Sequence, residues 1–369
     1  MDTQNPQHRM SSLHFHPLRV SAVRPETADS VTISFEVPED LRQAFTWQPG
    51  QYLTLRKLIG DEDVRRSYSI CAGPDEPELR IGVRKVEGGV FSTWANEALK
   101  AGDSIEVIEP QGHFVSQASD KPGRHVVGLA AGSGITPILS IMKSVLTREP
   151  EGRFTLIYGN RNTASTMFKE EIEDLKNRYM SRLSLHHVFS REHMDSPLSS
   201  GRLDQDKLAT FFAALVPLSQ VDEAFVCGPH GFNDDAHAAL LAGGLKEDRI
   251  KVERFGVPDA KPGQLPEHKV QAGDAVHARI AIIRDGLRRD VDFTESDPSV
   301  LDAASRAGLD VPYSCKSGVC STCRAKVLEG KVRMDRNHAL DKAEVAQGFV
   351  LACQAHPLTE KVVLSFDER

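Results

Sequence analysis

No apolar run in this chain approaches the roughly 18 residues that a membrane-spanning helix needs. The opening stretch Met1–Ser12 is polar and lacks the apolar centre of a secretion signal. A basic excess is missing as well. The 45 Lys and Arg against 52 Asp and Glu leave a formal net charge of −7, which speaks against bulk binding of nucleic acid. Repeats and low-complexity tracts are absent. The expectation is a cytoplasmic globular protein with neither a membrane nor a nucleic acid as partner. Its 369 residues, 40% apolar and 26% charged, suffice for two or three ordinary domains.

Cysteine is sparse over most of the chain. Cys71 and Cys227 stand alone, whereas Cys315, Cys320, Cys323 and Cys353 are gathered near the end. Without a secretion signal, such a gathering reads as metal or redox ligands before disulfides.

The pattern changes style along the chain. Residues 1–12 read as a disordered tail. Between 13 and 117, short alternating runs (Ser30–Val37, Tyr52–Leu55, Arg66–Cys71, Leu79–Lys85, Ser104–Ile108) are separated by Pro, Gly and Asp turns. That spacing predicts a small antiparallel β-barrel, interrupted by one helix over Gly89–Leu99. From 118 to 256 strand and helix alternate. The apolar run His125–Ala131 leads, and Arg153–Gly159, Leu183–Phe189, Glu223–Cys227 and Ile250–Arg254 follow with helices between. This is the signature of a doubly wound parallel α/β sheet. Pro258, Pro262, Gly263 and Pro266 mark 257–276 as an extended linker. A third domain, 277–369, opens with a hairpin and a helix before the cysteine loop.

Four features carry chemistry. Cys315-x4-Cys320-x2-Cys323, with Cys353 far downstream, has the plant-type spacing for a [2Fe–2S] cluster. Zinc sites favour two close pairs, which this is not. Gly318 and small hydroxyl residues let the loop bend around inorganic sulfide. Arg66-Ser67-Tyr68-Ser69 ends a barrel strand and offers a cation for a flavin pyrophosphate, an aromatic face for its ring and a donor near N5. Alone, it reads equally as an edge strand. Gly88-Gly89-Val90-Phe91-Ser92 opens the barrel's helix, either as a phosphate cradle or as a plain N-cap. Gly132-Ser133-Gly134-Ile135-Thr136-Pro137 joins an apolar strand to a helix, the context of a dinucleotide loop or of a plain strand–helix turn, with Pro137 in place of the third glycine.

Further candidates stand at strand ends of the α/β sheet, where ligands collect. Cys227 can line a nicotinamide pocket or be an inert buried thiol; Cys71 reads as the latter. Arg161, Ser190 and Arg191 favour a 2′-phosphate, hence NADPH, since no acidic residue stands at either strand end; the alternative is that the arginines are simply solvated surface residues. His14, His16, His186 and His187 have no carboxylate or cysteine at metal spacing and read as surface or strand residues. The run Asp61-Glu62-Asp63 reads as a solvated hairpin tip.

Taken in order, RSYS, GGVFS, GSGITP, CGP and CKSGVCSTC with its distant cysteine resemble the ferredoxin–NADP reductase superfamily fused to a C-terminal plant-type ferredoxin. The likeness covers nearly the whole chain beyond residue 12. RRSYSIC, PQGHF, LAAGSGITP, FTLIYGNR and DEAFVCGP draw it toward reductases of di-iron oxygenases. The resemblance implies a β-grasp third domain and FAD, NADPH and [2Fe–2S] as cofactors. It also implies the oxygenase component of a multicomponent monooxygenase as partner. It implies that Arg66 meets the flavin pyrophosphate, that Tyr68 packs on the ring and that Ser69 reaches N5, with Gly89 and Ser92 on the diphosphate's other side. Gly132, Gly134 and Thr136 would contact the nicotinamide cofactor's phosphates, and Cys227 would sit by the nicotinamide. Glu253 and Phe255 would lie near the flavin. Ser190 and Arg191 look like a 2′-phosphate pair.

Overall fold

The computed structural model describes residues 13–257 and 268–368. The expected tail, 1–12, and residues 258–267 of the expected linker lie outside them. The chain forms two compact units. One holds residues 15–257; the other holds 268–368 together with Leu13 and His14.

In the first unit, strands β1 (Phe15–Thr27), β2 (Ser30–Glu36), β3 (Tyr52–Ile59), β4 (Glu62–Ser69), β5 (Leu79–Arg84) and β6 (Ser104–Gln111) make one antiparallel sheet ordered β4-β3-β6-β1-β2-β5. Helix α1 (Val90–Glu97) follows β5. A bridge between Ile70 and Ile81 joins the two ends of the sheet and closes the barrel. Alternation explains the closure. Along β5, Leu79, Ile81 and Val83 are buried while Arg80 and Arg84 face outward. Each such apolar side chain contributes roughly 1.5–3 kcal/mol on burial.

The parallel sheet of the same unit runs β11-β10-β7-β8-β9, from β7 (His125–Ala131), β8 (Arg153–Asn160), β9 (Leu183–Phe189), β10 (Glu223–Gly228) and β11 (Ile250–Arg254). Helices α2 (Ile135–Arg148), α3 (Lys169–Arg178), α4 (Gln205–Ala214) and α5 (His230–Ala242) connect its strands. Helix α2 is buried on nearly every side from Ile135 to Leu146. One face packs on the sheet. The other meets the barrel: the Ser140 hydroxyl donates to the Ala72 carbonyl at 2.6 Å, and Lys143 Nζ pairs with Glu76 at 2.6 Å and with Glu171. Gly82 of β5 lies on this seam. A Cβ there would stand 2.8 Å from Thr136 Cγ2 and 3.0 Å from Phe168 Cζ.

The second unit is a five-stranded mixed sheet, β13-β12-β18-β14-β16. It comprises β12 (Ala278–Arg284), β13 (Leu287–Phe293), β14 (Arg324–Glu329), β16 (Phe349–Leu351) and β18 (Lys361–Ser365). Strands β12 and β18 are parallel; the other neighbours are antiparallel. Helix α6 (Val300–Arg306) packs over the core and α7 (Lys342–Ala346) precedes β16, while β15 (Val332–Met334) and β17 (Ala355–Pro357) pair separately.

Candidate functional site

The pairing of β3 with β4 fixes the RSYS stretch: Tyr52 faces Ser69, Leu53 faces Tyr68, Thr54 faces Ser67 and Leu55 faces Arg66. The two adjacent arginines have different fates. Arg65 is buried and paired with Asp63 at 2.8 Å. Arg66 is exposed, donates only to the Arg65 carbonyl at 2.7 Å and has no ion-pair partner among the described residues. It is thus the cation left available for an anionic ligand. Tyr68 is half-buried, its ring centroid 5.6 Å from that of Phe91 in α1. Ser67 Oγ lies 3.1 Å from Thr54 Oγ1, and Ser69 is buried. Asp61, Glu62 and Asp63 lie exposed at the tip of the β3–β4 hairpin, as expected, and Asp63 also pairs with both Arg56 and Arg65.

Gly89 is the N-cap of α1, and no side chain caps that helix. Its first-turn N–H groups are therefore open to an anion. A Cβ at 89 would meet Ser92 Oγ at 2.6 Å. Ser92's hydroxyl already accepts from Val86 N–H at 3.1 Å and donates to Gly89 O at 3.2 Å, so it shapes the turn.

The GSGITP loop sits between β7 and α2. Gly132 has φ +56, the left-handed region that glycine takes without cost. A Cβ on Gly134 would collide with the Cys227 carbonyl oxygen at 2.0 Å. Thr136 Oγ1 donates to Ser133 O at 3.0 Å and closes the turn. The N-terminus of α2 also lacks a side-chain cap.

Beside this loop opens a cavity of about 1020 Å³ at the carboxyl ends of the strands. Ser133, Arg161, Ser190, Arg202, His230 and Phe255 are among its walls. Of the residues expected at this site, Gly132, Arg161, Ser190 and Phe255 line the cavity, whereas Gly134, Thr136, Arg191, Cys227 and Glu253 do not, Gly134, Thr136 and Cys227 being buried. Arg66, Ser67, Tyr68, Ser69, Gly89 and Ser92 form their own group on the barrel, outside this cavity.

Three residues missed in the sequence complete the wall. Arg202 is exposed there and has no partner among the described residues. Arg84, at the end of β5, lies 3.4 Å from where a Gly132 Cβ would be. Asp29 binds Arg84 at 3.1 Å and Arg161 at 2.9 Å. Burial would raise Asp29's carboxyl, but hydrogen bonds from Arg84, Thr27 and Arg161 outweigh it and hold it below the usual carboxylate range. A basic residue closing an alternating strand was the available signal for Arg84; nothing local marked Asp29 or Arg202.

Cys227 pairs with Ala130 of β7 and Glu253 of β11 in the ladder. Burial pushes its thiol well above the ordinary range, and the neighbouring Glu253 carboxylate adds to the shift. Burial also pushes the Glu253 carboxyl up to about 8. Cys71 is fully buried, with its thiol pushed up to about 12 by burial. Phe255 remains 48% exposed at the cavity wall.

In the second unit the cysteine loop runs from α6 to β14, and Cys353 enters from the turn after β16. Cys315 lies within hydrogen-bonding reach of Cys320 and Cys353, and Cys353 within reach of Cys323. Lys316, Gly318 and Ser321 all take positive φ, wrapping the loop tightly. A Cβ on Gly318 would press within 3.0 Å of Arg336 O. The Ser317 N–H and Gln354 Nε2 approach Cys315 Sγ and Cys353 Sγ at 3.4 and 3.5 Å. Four converging sulfurs ringed by N–H donors fit a [2Fe–2S] cluster.

Comparison with known proteins agrees with this layout. The oxidoreductase FAD-binding domain profile matches residues 17–115, the oxidoreductase NAD-binding domain profile 129–238 and the 2Fe-2S iron-sulfur cluster binding domain profile 282–358. The chain is 45% identical over 356 residues to a subunit of the 1,2-phenylacetyl-CoA epoxidase of Escherichia coli (strain K12), covering 96% of this chain and 98% of that one. It is 35% identical over 358 residues to the ferredoxin reductase component of 3-ketosteroid-9-alpha-monooxygenase from Rhodococcus rhodochrous, covering 95% and 96%. Its fold is like that of phthalate dioxygenase reductase, with TM-score 0.56 at 22% identity over 95% of this chain and 98% of that one. The chain belongs to the family of NAD(P)H-dependent flavin and iron–sulfur oxidoreductases whose members include the reductase components of oxygenases.

Proposed function

We propose that this chain is the NADPH-oxidising reductase that feeds single electrons to a phenylacetyl-CoA epoxidase. The observation that carries the reading is the 45% identity, along nearly the full length of both chains, to a subunit of that enzyme in Escherichia coli. When bound, FAD turns a two-electron hydride into single electrons and the [2Fe–2S] cluster carries them one at a time.

The protein's own part is to bind, orient and exclude water. Arg66 neutralises the flavin pyrophosphate, with Ser67 beside it. Tyr68 covers the ring, and Ser69 donates near N5. Gly89 and Ser92 shape the open end of α1 for the other side of the diphosphate. Gly132, Gly134 and Thr136 form the turn for the nicotinamide cofactor's phosphates. Ser69 stands by the hydride path, Cys227 backs the path as a neutral thiol buried behind the cavity wall, and Phe255 guards its mouth. Cys315, Cys320, Cys323 and Cys353 ligate the cluster. Arg161 and Ser190 face a 2′-phosphate, and Arg202 joins them. Arg191 is the weakest member of that set, because it stands off the cavity wall.

The functional divisions are a flavin domain over 13–117, a nucleotide domain over 118–256, a linker over 257–276 whose described part, 268–276, packs into the second unit, and a ferredoxin domain over 277–369. A cytoplasmic setting belongs to the same reading. Among the described residues no helix is long and apolar enough to cross a membrane.

Reconstitution tests the reading. The purified chain, mixed with the oxygenase part of a phenylacetyl-CoA epoxidase, should support NADPH-driven epoxidation of phenylacetyl-CoA. If it fails there but drives a 3-ketosteroid 9α-monooxygenase oxygenase, the partner assignment passes to that class.

A further inference from the structure

Beside Cys353, which lines the same cavity as His268 and His356, the second unit gathers three metal-ligating side chains that the electron-transfer role leaves unused. His268 Nδ1 and His356 Nε2 lie 2.8 and 2.9 Å from the same oxygen, Asp335 Oδ2. All three donor atoms fall within 4.8 Å of one another. The group is shielded, with side-chain exposures of 16% for His268, 7% for Asp335 and 6% for His356. We infer that His268, Asp335 and His356 form a binding site for one zinc-class divalent cation, distinct from the four-cysteine site.

The backbone builds the site. Pairing of β15 with β17 sets Arg333 opposite His356, and the Asp335 N–H continues the ladder to Gln354 O at 2.9 Å. Strand alternation then puts Arg333 and Asp335 on one face. Arg333 holds Asp335 Oδ1 and both oxygens of Asp274, which leaves Oδ2 turned toward the two rings. Metal-binding carboxylates are characteristically braced in this way by outer partners.

Charge and donor type select the ion. The carboxylates of Asp274 and Asp335 and the Arg333 guanidinium sum to −1, which a dication complements, and imidazole ligates a metal in its neutral form. Two nitrogens and one oxygen suit zinc or ferrous iron. Calcium and magnesium prefer all-oxygen shells, and cuprous ion prefers sulfur. A cavity of about 500 Å³ opens beside the group, with Asp274, Glu295 and the Asp302–Lys316 ion pair in its wall, and gives water access to the remaining coordination positions. On binding, each ring's hydrogen moves from the ligating nitrogen to the other one. The ion would then tie the segment at His268 to the strand pair next to Cys353.

The test uses protein with its flavin and cluster in place, stripped of loosely held metal with EDTA and titrated with zinc by equilibrium dialysis. We expect saturation at about one zinc per chain, and a loss of affinity of about 100-fold or more in His268→Ala and in Asp335→Asn. Iron content and circular dichroism confirm that each variant is folded. His268→Ala is the milder change and keeps the test valid if Asp335→Asn is unstable. Zinc-edge X-ray absorption should report nitrogen and oxygen neighbours only. Unchanged affinity in His268→Ala, sulfur in the zinc shell, or no saturable binding by the unmodified chain each overturns the assignment.

Discussion

The Cys227 carbonyl oxygen occupies the space that a side chain on Gly134 would need, 2.0 Å from its Cβ position. The dinucleotide loop is thus seated directly on the end of β10. A methyl group at 134 must lift that loop. We expect Gly134→Ala to lower kcat/KM for the nicotinamide cofactor by about 100-fold, since misplacement by an ångström costs that much. Flavin and iron content should stay normal. Ferricyanide reduction at the wild-type rate would refute the role given to this contact.

The 2′-phosphate reading makes a prediction that separates two arginines. Arg202 lines the cavity and is unpartnered among the described residues, while Arg191 is off the wall. A charged hydrogen bond is worth roughly 1.5–3 kcal/mol. Arg202→Ala should therefore raise KM for NADPH about tenfold or more and leave KM for NADH nearly unchanged. Arg191→Ala should do much less to either. Equal effects of Arg202→Ala on both cofactors would remove it from the phosphate set.

The cluster can be silenced separately. Cys320→Ser should abolish electron delivery to an oxygenase and cut iron content, while NADPH oxidation with ferricyanide persists. If oxygenation continues at the full rate, electrons leave the protein without passing through Cys320's cluster.

Glu253 supplies a pH signature. Burial raises its carboxyl from an ordinary 4.5 to about 8 in the folded chain. The group's contribution to folding stability is therefore full below about 4.5, declines as pH rises toward about 8 and levels off above. Glu253→Gln removes the ionisation and hence the decline. Melting temperatures measured from mildly acidic to mildly alkaline pH should show the wild type losing ground to the variant up to about pH 8. Parallel curves would mean that Glu253 is already ionised at neutrality.

Much of the fold was legible because its periods are clean. The β7 run, buried along its length, and the alternation in β5 identified two sheets of different kind. The cysteine spacing worked for the same reason: three ligands share one loop, so geometry is written in local sequence. Strand β1 gave no comparable signal. Its pairing with β2 shifts register between Val20 and Ala22 and again between Pro25 and Thr27, which breaks the two-residue rhythm. The strands β15 to β17 are three residues each, too short to show a period.

Long-range pairs were invisible for a different reason. Asp29 meets Arg161 across 132 positions of chain, and His16 meets Glu109 across 93. The His268 group spans 67 residues to Asp335. No local spacing rule reaches so far. The same holds for Arg202, which follows a glycine in an ordinary loop and gains meaning only from the cavity it faces.

The missing side chain at Gly82 has a consequence for how such enzymes can be recombined. Because β5 presses against Thr136 and Phe168 at that point, the barrel and the nucleotide sheet are a matched pair and not interchangeable cassettes. A barrel grafted from a reductase with a bulkier residue there would wedge the seam open and shift Thr136 within its loop. Breeding hybrids from this chain therefore requires moving the two halves together, or carrying a glycine along with the transplanted barrel.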